Sequence, residues 1–226
     1  MRKLTLSVAA AALLFAASCN NSNSDQAATT TAQEAATTTA GKEFSVDVAA
    51  SNIKWRATHK GGMAPRFGTL SVQNGTVSLE SGKVVAGSFV VDMNSLKVDS
   101  ASVSEKDKKA ADLEGHLKNA DFFDVPKYPS AKFEITKVVP FDAAKDKSTL
   151  EGATDIVSGN LTLKDSTINV TFPAKIVATE TEVTVQSKFS VDRTSWGLNM
   201  GAEGDAANWM ISKDIELEIN LKAVQK

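Results

Sequence analysis

The chain has 226 residues, 25 Lys and Arg against 27 Asp and Glu, two histidines and one cysteine, for a formal charge of −2. A mildly acidic chain without a basic cluster and with a single tyrosine is a poor nucleic-acid binder. One cysteine rules out a disulfide within the chain, so any folded domain rests on its apolar core.

Residues 1–18 have the parts of a secretory signal. Arg2 and Lys3 form a charged start, and an apolar run over 4–17 follows. That run is shorter than the roughly 20 residues a spanning helix needs, so a cleaved signal is expected. At the cut, Ala16-Ala17-Ser18-Cys19 resembles a bacterial lipobox, in which the cysteine becomes the diacylglyceryl-modified mature N-terminus. Each buried methylene of the acyl chains contributes roughly 0.8 kcal/mol, so Cys19 is expected to act as a membrane anchor for a soluble body. Loss of the signal takes away two basic residues and no acidic one. Asn20 is not the aspartate linked to inner-membrane retention, and no acidic run follows Cys19. The expected location is therefore the cell envelope, lipid-anchored in the outer membrane and facing the periplasm.

After Cys19, residues 20–41 hold Asn and Ser and then runs of Ala and Thr, with no Phe, Leu, Ile, Val or Trp. Nothing there offsets the entropy of ordering, and the β-branched threonines argue against a helix. Residues 19–41 thus read as a lipidated cysteine followed by a disordered tether.

From residue 42 to 226 the pattern changes to a period of two. Turn signals stand at Gln73-Asn74-Gly75 and Glu80-Ser81-Gly82. Residues 104–119 break the beat with good helix formers, Leu113 and Leu117 four apart, and a Ser104–Asp107 pair resembling a cap, which predicts one surface helix. Alternation returns at Leu161 and Leu163, then after a Lys164-Asp165-Ser166 turn at Ile168, Val170 and Phe172. It continues at Val183, Val185, Phe189 and Val191, and is clearest at Ile215, Leu217, Ile219 and Leu221, which oppose Glu216, Glu218, Asn220 and Lys222. Such strands have one buried and one wet face and are antiparallel; many of them with one helix predict a closed barrel, because closure removes exposed edges. A barrel of about eight strands either fills its interior with side chains or holds one ligand, and alternation does not separate the two.

From residue 115 the chain reads Gly-His-Leu-Lys-Asn-Ala-Asp-Phe-Phe-Asp-Val-Pro-Lys-Tyr-Pro-Ser-Ala-Lys-Phe-Glu-Ile. The stretch from His116 through Asp121-Phe122-Phe123-Asp124-Val125 and Lys127-Tyr128-Pro129 to Phe133 resembles the YceI-like family of bacterial periplasmic and secreted polyisoprenoid-binding proteins. Gly159-Asn160-Leu161-Thr162-Leu163, Asp192-Arg193-Thr194-Ser195-Trp196-Gly197 and Val91-Asp92-Met93-Asn94-Ser95-Leu96 agree with it, so the likeness runs over about 43–222. The resemblance implies an all-β, lipocalin-like antiparallel eight-stranded β-barrel with one helical insertion. It also implies an isoprenoid tail held in an apolar tunnel, homodimers, and no cofactor. The chain departs from the family pattern at residues 164–169 and in the loop between Trp196 and Trp209, which lacks the expected aromatics.

Candidate residues follow. His116 either bonds a ligand head group or ties the helix end to the turn at Asp121–Phe123. Phe122 and Phe123 are adjacent and diverge on an extended or helical backbone, so either one plugs the core while the other lines the tunnel mouth, or both pack in the core, which is the favoured reading. Trp55, Trp196 and Trp209 are either cavity walls, since indole offers apolar area with one donor, or ordinary core residues. Asp121 is read as capping a turn, Tyr128 with Pro129 as fixing an extended entry to the next strand, and Asp192 with Arg193 as a salt bridge or turn bond. His59 and His116 lack any metal-ligand spacing, so no metal is expected. No Gly-x-Ser-x-Gly or phosphate loop occurs, and no catalytic residue is assigned. The leading expectation is a non-enzymatic carrier that binds, sequesters or transports a long isoprenoid-type lipid, polyprenyl or quinone-like. The alternative is a structural or interaction lipoprotein with a filled barrel.

Overall fold

The computed structural model describes residues 24–59, 64–202 and 211–225; the expected signal, Cys19 and Trp209 lie outside the described residues. The strands are β1 (Asp25–Gln26), β2 (Ala28–Thr31), β3 (Lys42–Val46), β4 (Asn52–Ala57), β5 (Arg66–Glu80), β6 (Lys83–Val98), β7 (Ser130–Pro140), β8 (Asp155–Leu163), β9 (Ser166–Ala178), β10 (Glu182–Asp192) and β11 (Asp214–Gln225), with helix α1 (Ala110–Lys118) between β6 and β7. Strands β5 to β11 pair antiparallel with their sequence neighbours, and β3 and β4 together occupy the position between β11 and β5. Pairing of Val183–Gln186 on β10 with Lys175–Ala178 on β9 closes the eight-position barrel expected from the sequence.

Local chemistry sets the turns. Ser81 and Gly82 both have positive φ, 51° and 75°, which gives the tight β5–β6 hairpin the twist its strands need. Lys164, at φ 54°, does the same between β8 and β9. The Asn74-Gly75 pair, expected as a turn, instead lies inside the continuous β5 beside a register shift between Val72 and Asn74. Gly75 is required there because a Cβ would stand 2.8 Å from the Phe89 ring. The shift between Val72 and Asn74 reverses which parity faces inward: Leu70 and Val72 line the interior before it, Val77 after it.

Helix α1 is shorter than the predicted 104–119. Glu105 is drawn away into a 2.5 Å ion pair with Arg66, whose guanidinium also donates to the Ser102 carbonyl at 2.7 Å. The helix starts instead where the Asp112 carboxylate accepts the Lys109 N–H at 3.2 Å.

Residues 24–41 correct the expectation of a disordered tether. Beyond the four paired residues at the closing seam, β9 and β10 separate, and the N-terminal segment enters the gap. There β1 runs parallel to β10, and β2 antiparallel to β9 over Thr171–Ile168. Ala27 is 5% exposed and joins the main core. Asp25 accepts from the Ser148 hydroxyl at 2.6 Å and the Thr149 N–H at 2.9 Å, while Gln33 and the Asn160 side chain exchange two bonds at 3.0 and 2.7 Å. The Ala/Thr run carries little apolar area, but it satisfies backbone groups that the splayed edges of β9 and β10 would otherwise leave unpaired. It also buries the outward-facing Asn169, Thr171 and Ser190.

Candidate functional site

The lumen is hollow. Its cavity measures about 560 Å³ and runs along the barrel between facing strands. Well-packed interiors hold few voids larger than a water, whereas ligand cavities measure roughly 300–1,000 Å³. Inward positions of the alternating strands make its wall, among them Val157, Leu161, Val170, Val185, Leu217 and Leu221. A belt of four phenylalanines crosses the wall: Phe89 to Phe133 at 6.3 Å between ring centroids, Phe133 to Phe172 at 5.8 Å, and Phe172 stacked on Phe189 at 4.0 Å. Gly159 makes the belt fit, since a Cβ there would fall 2.1 Å from the Phe133 ring.

The two ends differ. At one, Phe44, with 0% exposure, packs with Leu79, Val183 and Ala223 and stops the cavity. At the other, α1 lies over the lumen, with Leu113, His116 and Leu117 facing it above a second cluster built on Trp55, Met93 and Leu96. Polar lining is concentrated at this second end, in Thr58, His59, Arg66, Lys108, Lys109, Asp112, His116 and Arg193. Among the described residues the one polar residue deeper in, Ser187, spends its hydroxyl on the Pro173 carbonyl at 2.6 Å.

The structure brings most of the sequence candidates together. His116, Phe122, Phe123, Trp55 and Trp196 all line the cavity. The His116 ring stands edge-on to Phe122, with centroids 5.4 Å apart. Phe122 is 6% exposed and Phe123 is half-buried against the second cluster, and both border the cavity. Trp55 Nε1 donates to the Lys97 carbonyl at 3.2 Å and Trp196 Nε1 to the Leu161 carbonyl at 2.9 Å, which satisfies each indole while its apolar face meets the lumen.

The motif residues hold the frame. Asp121 is exposed and is not the cap; the turn is closed by the Asn119 carbonyl, which accepts from Phe122 N–H at 3.1 Å and Asp124 N–H at 2.8 Å. Tyr128 lies under Lys127 and Lys164 and donates to Asp165 at 3.3 Å, while Lys164 reaches the Phe122 carbonyl at 3.0 Å. The block at 119–129 is thereby clamped to the β8–β9 turn. Asp192 does not pair with Arg193. It caps a 3-10 turn over Arg193–Trp196, accepting from the Thr194 N–H at 3.0 Å and hydroxyl at 2.6 Å. Burial works against its charged form, yet these bonds and Lys213 hold its carboxyl below the ordinary value. Arg193 is 3% exposed and gives its guanidinium to the carbonyls of Ser212, Leu198 and Ile211. Burial lowers its pKa, with Asp192 opposing.

Sequence reasoning did not single out the phenylalanine belt, although alternation had already put Phe172 and Phe189 on inward faces. It also missed Arg66, Lys108 and Lys109 at the open end, because they meet only in three dimensions. Among the described residues, no group of three His, Cys, Asp or Glu is placed to hold a metal ion.

Comparison with known proteins agrees with this architecture. The model of the YceI-like domain family matches residues 44–223. A UPF0312 protein of Pseudomonas putida (strain W619) is 33% identical over 116 residues, 51% of this chain and 55% of that protein. The chain thus matches about half the length of this relative. The crystal structure of Burkholderia cenocepacia BcnA superposes with a TM-score of 0.57 at 19% identity, covering 79% of this chain and 99% of that one. A polyisoprenoid-binding domain from Saccharophagus degradans, implicated in plant cell wall breakdown, does so with a TM-score of 0.50 at 18% identity, covering 81% and 98%. At these identities the two structures speak for the fold alone.

Proposed function

The chain belongs to the YceI-like domain family, and from that premise we propose that it binds and sequesters, or carries, a long apolar isoprenoid-type lipid, polyprenyl or quinone-like, in the barrel lumen. The observation that carries this reading is the cavity of about 560 Å³ with an almost wholly apolar wall. Such a wall offers a guest little but burial, worth about 25 cal/mol per Å² of apolar surface, which favours a long chain over a compact polar metabolite. The polyisoprenoid-binding domain of the same fold supports the chemical class. Binding of this kind needs no cofactor and no chemical step. The lipobox at residues 16–19 supports a lipid anchor on Cys19, which would hold the barrel at the outer membrane facing the periplasm.

The test is native mass spectrometry of the full chain purified in detergent from a bacterial envelope, followed by lipid extraction. An apolar molecule in stoichiometric amount is expected, and the same spectrum reads acylation of Cys19. No such molecule, together with no uptake of added quinones and polyprenols, overturns the proposal.

A further inference from the structure

Residues 24–41 are part of the barrel, and this sets where the chain ahead of them leaves it. The segment is fixed from its start: Ser24 is 5% exposed, Asp25 and Gln26 pair with Phe189 and Ser190, and Ala27 is buried in the main core. A free tether over 20–41 reaches about 75 Å when drawn out. A segment docked from Ser24 onward leaves five peptide steps back to Cys19, which span at most about 18 Å whatever their conformation. The exit is also in the side of the barrel rather than at an end. Phe189 stands seven residues from the start of β10 at the Phe44 end. That is about 23 Å of strand, so resting the barrel on its Phe44 end needs the chain drawn out to its limit.

The surface around this exit has a second property. From Gln26 to Gln33 the segment has no charged side chain, and Gln26, Thr29, Thr30 and Thr31 are exposed. The carboxylate that precedes this strip, Asp25, is turned onto the Ser148 hydroxyl and the Thr149 N–H. The wall that continues from β10 is lined instead by ion pairs, Lys188 with Glu216, Lys222 with Glu182 and Lys54 with Glu218. Charges brought against a low-dielectric surface lose hydration, and a strip without them approaches a bilayer at little cost.

We propose that the seam between β9 and β10 is a membrane-contact surface. The strip from Gln26 to Gln33 rests on the headgroups of the membrane that holds Cys19, and the barrel lies on its side with its mouth opening along that membrane. This rests on the lipid anchor proposed above, and it makes the segment a short mooring where composition alone predicts a loose tether.

The experiment uses the full acylated chain in vesicles of phosphatidylethanolamine and phosphatidylglycerol that carry a headgroup-attached quencher. Acylation leaves Cys19 without a free thiol, so a single introduced cysteine takes the fluorophore. The sites are Thr30→Cys on the strip, Gln73→Cys in β5 on the far wall, and Lys106→Cys ahead of α1 at the open end, all exposed positions. Quenching is expected to be several-fold stronger for Thr30→Cys than for Gln73→Cys or Lys106→Cys. A Gly/Ser insert of about 20 residues between Cys19 and Ser24 adds about 25 Å of reach and is expected to bring the three labels level. Level quenching without the insert means that the barrel floats free, and strongest quenching for Lys106→Cys means that it stands on its mouth. A preference for Thr30→Cys that survives the insert means that chain length does not set it. Each of these overturns the mooring and leaves the anchor standing, whereas a Cys19 without acyl mass overturns both.

Discussion

At one end of the barrel Phe44, Leu79 and Val183 interlock without room for a guest, whereas at the other α1 crosses the lumen with none of its nine residues fully buried. The first end is a core like that of any β-barrel and carries much of the stability. The second is held by the half-buried Leu113 and Leu117 packed on the cluster of Trp55, Met93 and Leu96, and by a few polar bonds, chiefly Glu114, whose carboxylate accepts the Val98 N–H at 3.1 Å and pairs with Lys97 at 3.3 Å, and Lys118, which reaches the Asn94 carbonyl at 2.8 Å. A chain that must keep an empty cavity folded and still admit a guest separates the two tasks in space, because a packed core opens only at the cost of global unfolding, while a lightly buried cover opens locally.

This contrast is most directly broken at the packed end. Phe44→Ala is expected to cost about 3–5 kcal/mol, read as a lowered urea midpoint at unchanged slope. A loss below about 1 kcal/mol would mean that Phe44 does not seal the barrel.

Gly159→Ala tests the middle. The new Cβ must push the Phe133 ring into the lumen, with an expected cost of about 1–3 kcal/mol and less lipid taken up per chain. Unchanged uptake would show that the cavity does not depend on the phenylalanine belt.

The smallest effect is at the open end. The Val98 bond, with help from Lys97 and Lys118, holds the Glu114 carboxyl below its ordinary value of 4.5. A depressed carboxyl contributes stability above its unfolded-state pKa and loses it as pH falls through the folded value, so α1 is expected to stay docked at neutral pH and to loosen below about pH 4.5. Glu114→Gln should cost about 0.5–1.5 kcal/mol and speed hydrogen exchange in α1 at pH 7, with little effect on exchange around Phe44. If exchange rises equally at both ends, the two are one cooperative unit.

Much of the fold is legible in the residues. Strict alternation at Ile215, Leu217, Ile219 and Leu221 and at Ile168, Val170 and Phe172 can be satisfied only by strands with one buried face. The β5–β6 and β8–β9 hairpins were marked by Ser81-Gly82 and Lys164-Asp165, and the His116–Phe133 block marked the family. These signals are local or carried by a contiguous motif. Others depended on neighbours far along the chain. Asn74-Gly75 became a bulge because the strand it faces brings Phe89 to it. Residues 24–31 became strands because β9 and β10, more than a hundred residues later, separate and leave unpaired edges. Arg193 found three carbonyls instead of the adjacent Asp192.

The sequence by itself determined an antiparallel β domain, one helical insertion and a family, since these follow from a periodicity of two, its interruption and a specific motif. Only the tertiary structure decided that the barrel is hollow, which end is closed and which charges gather at the open one. Those properties depend on how bulges set the parity of each strand and on volumes summed across strands, and no single segment carries that information.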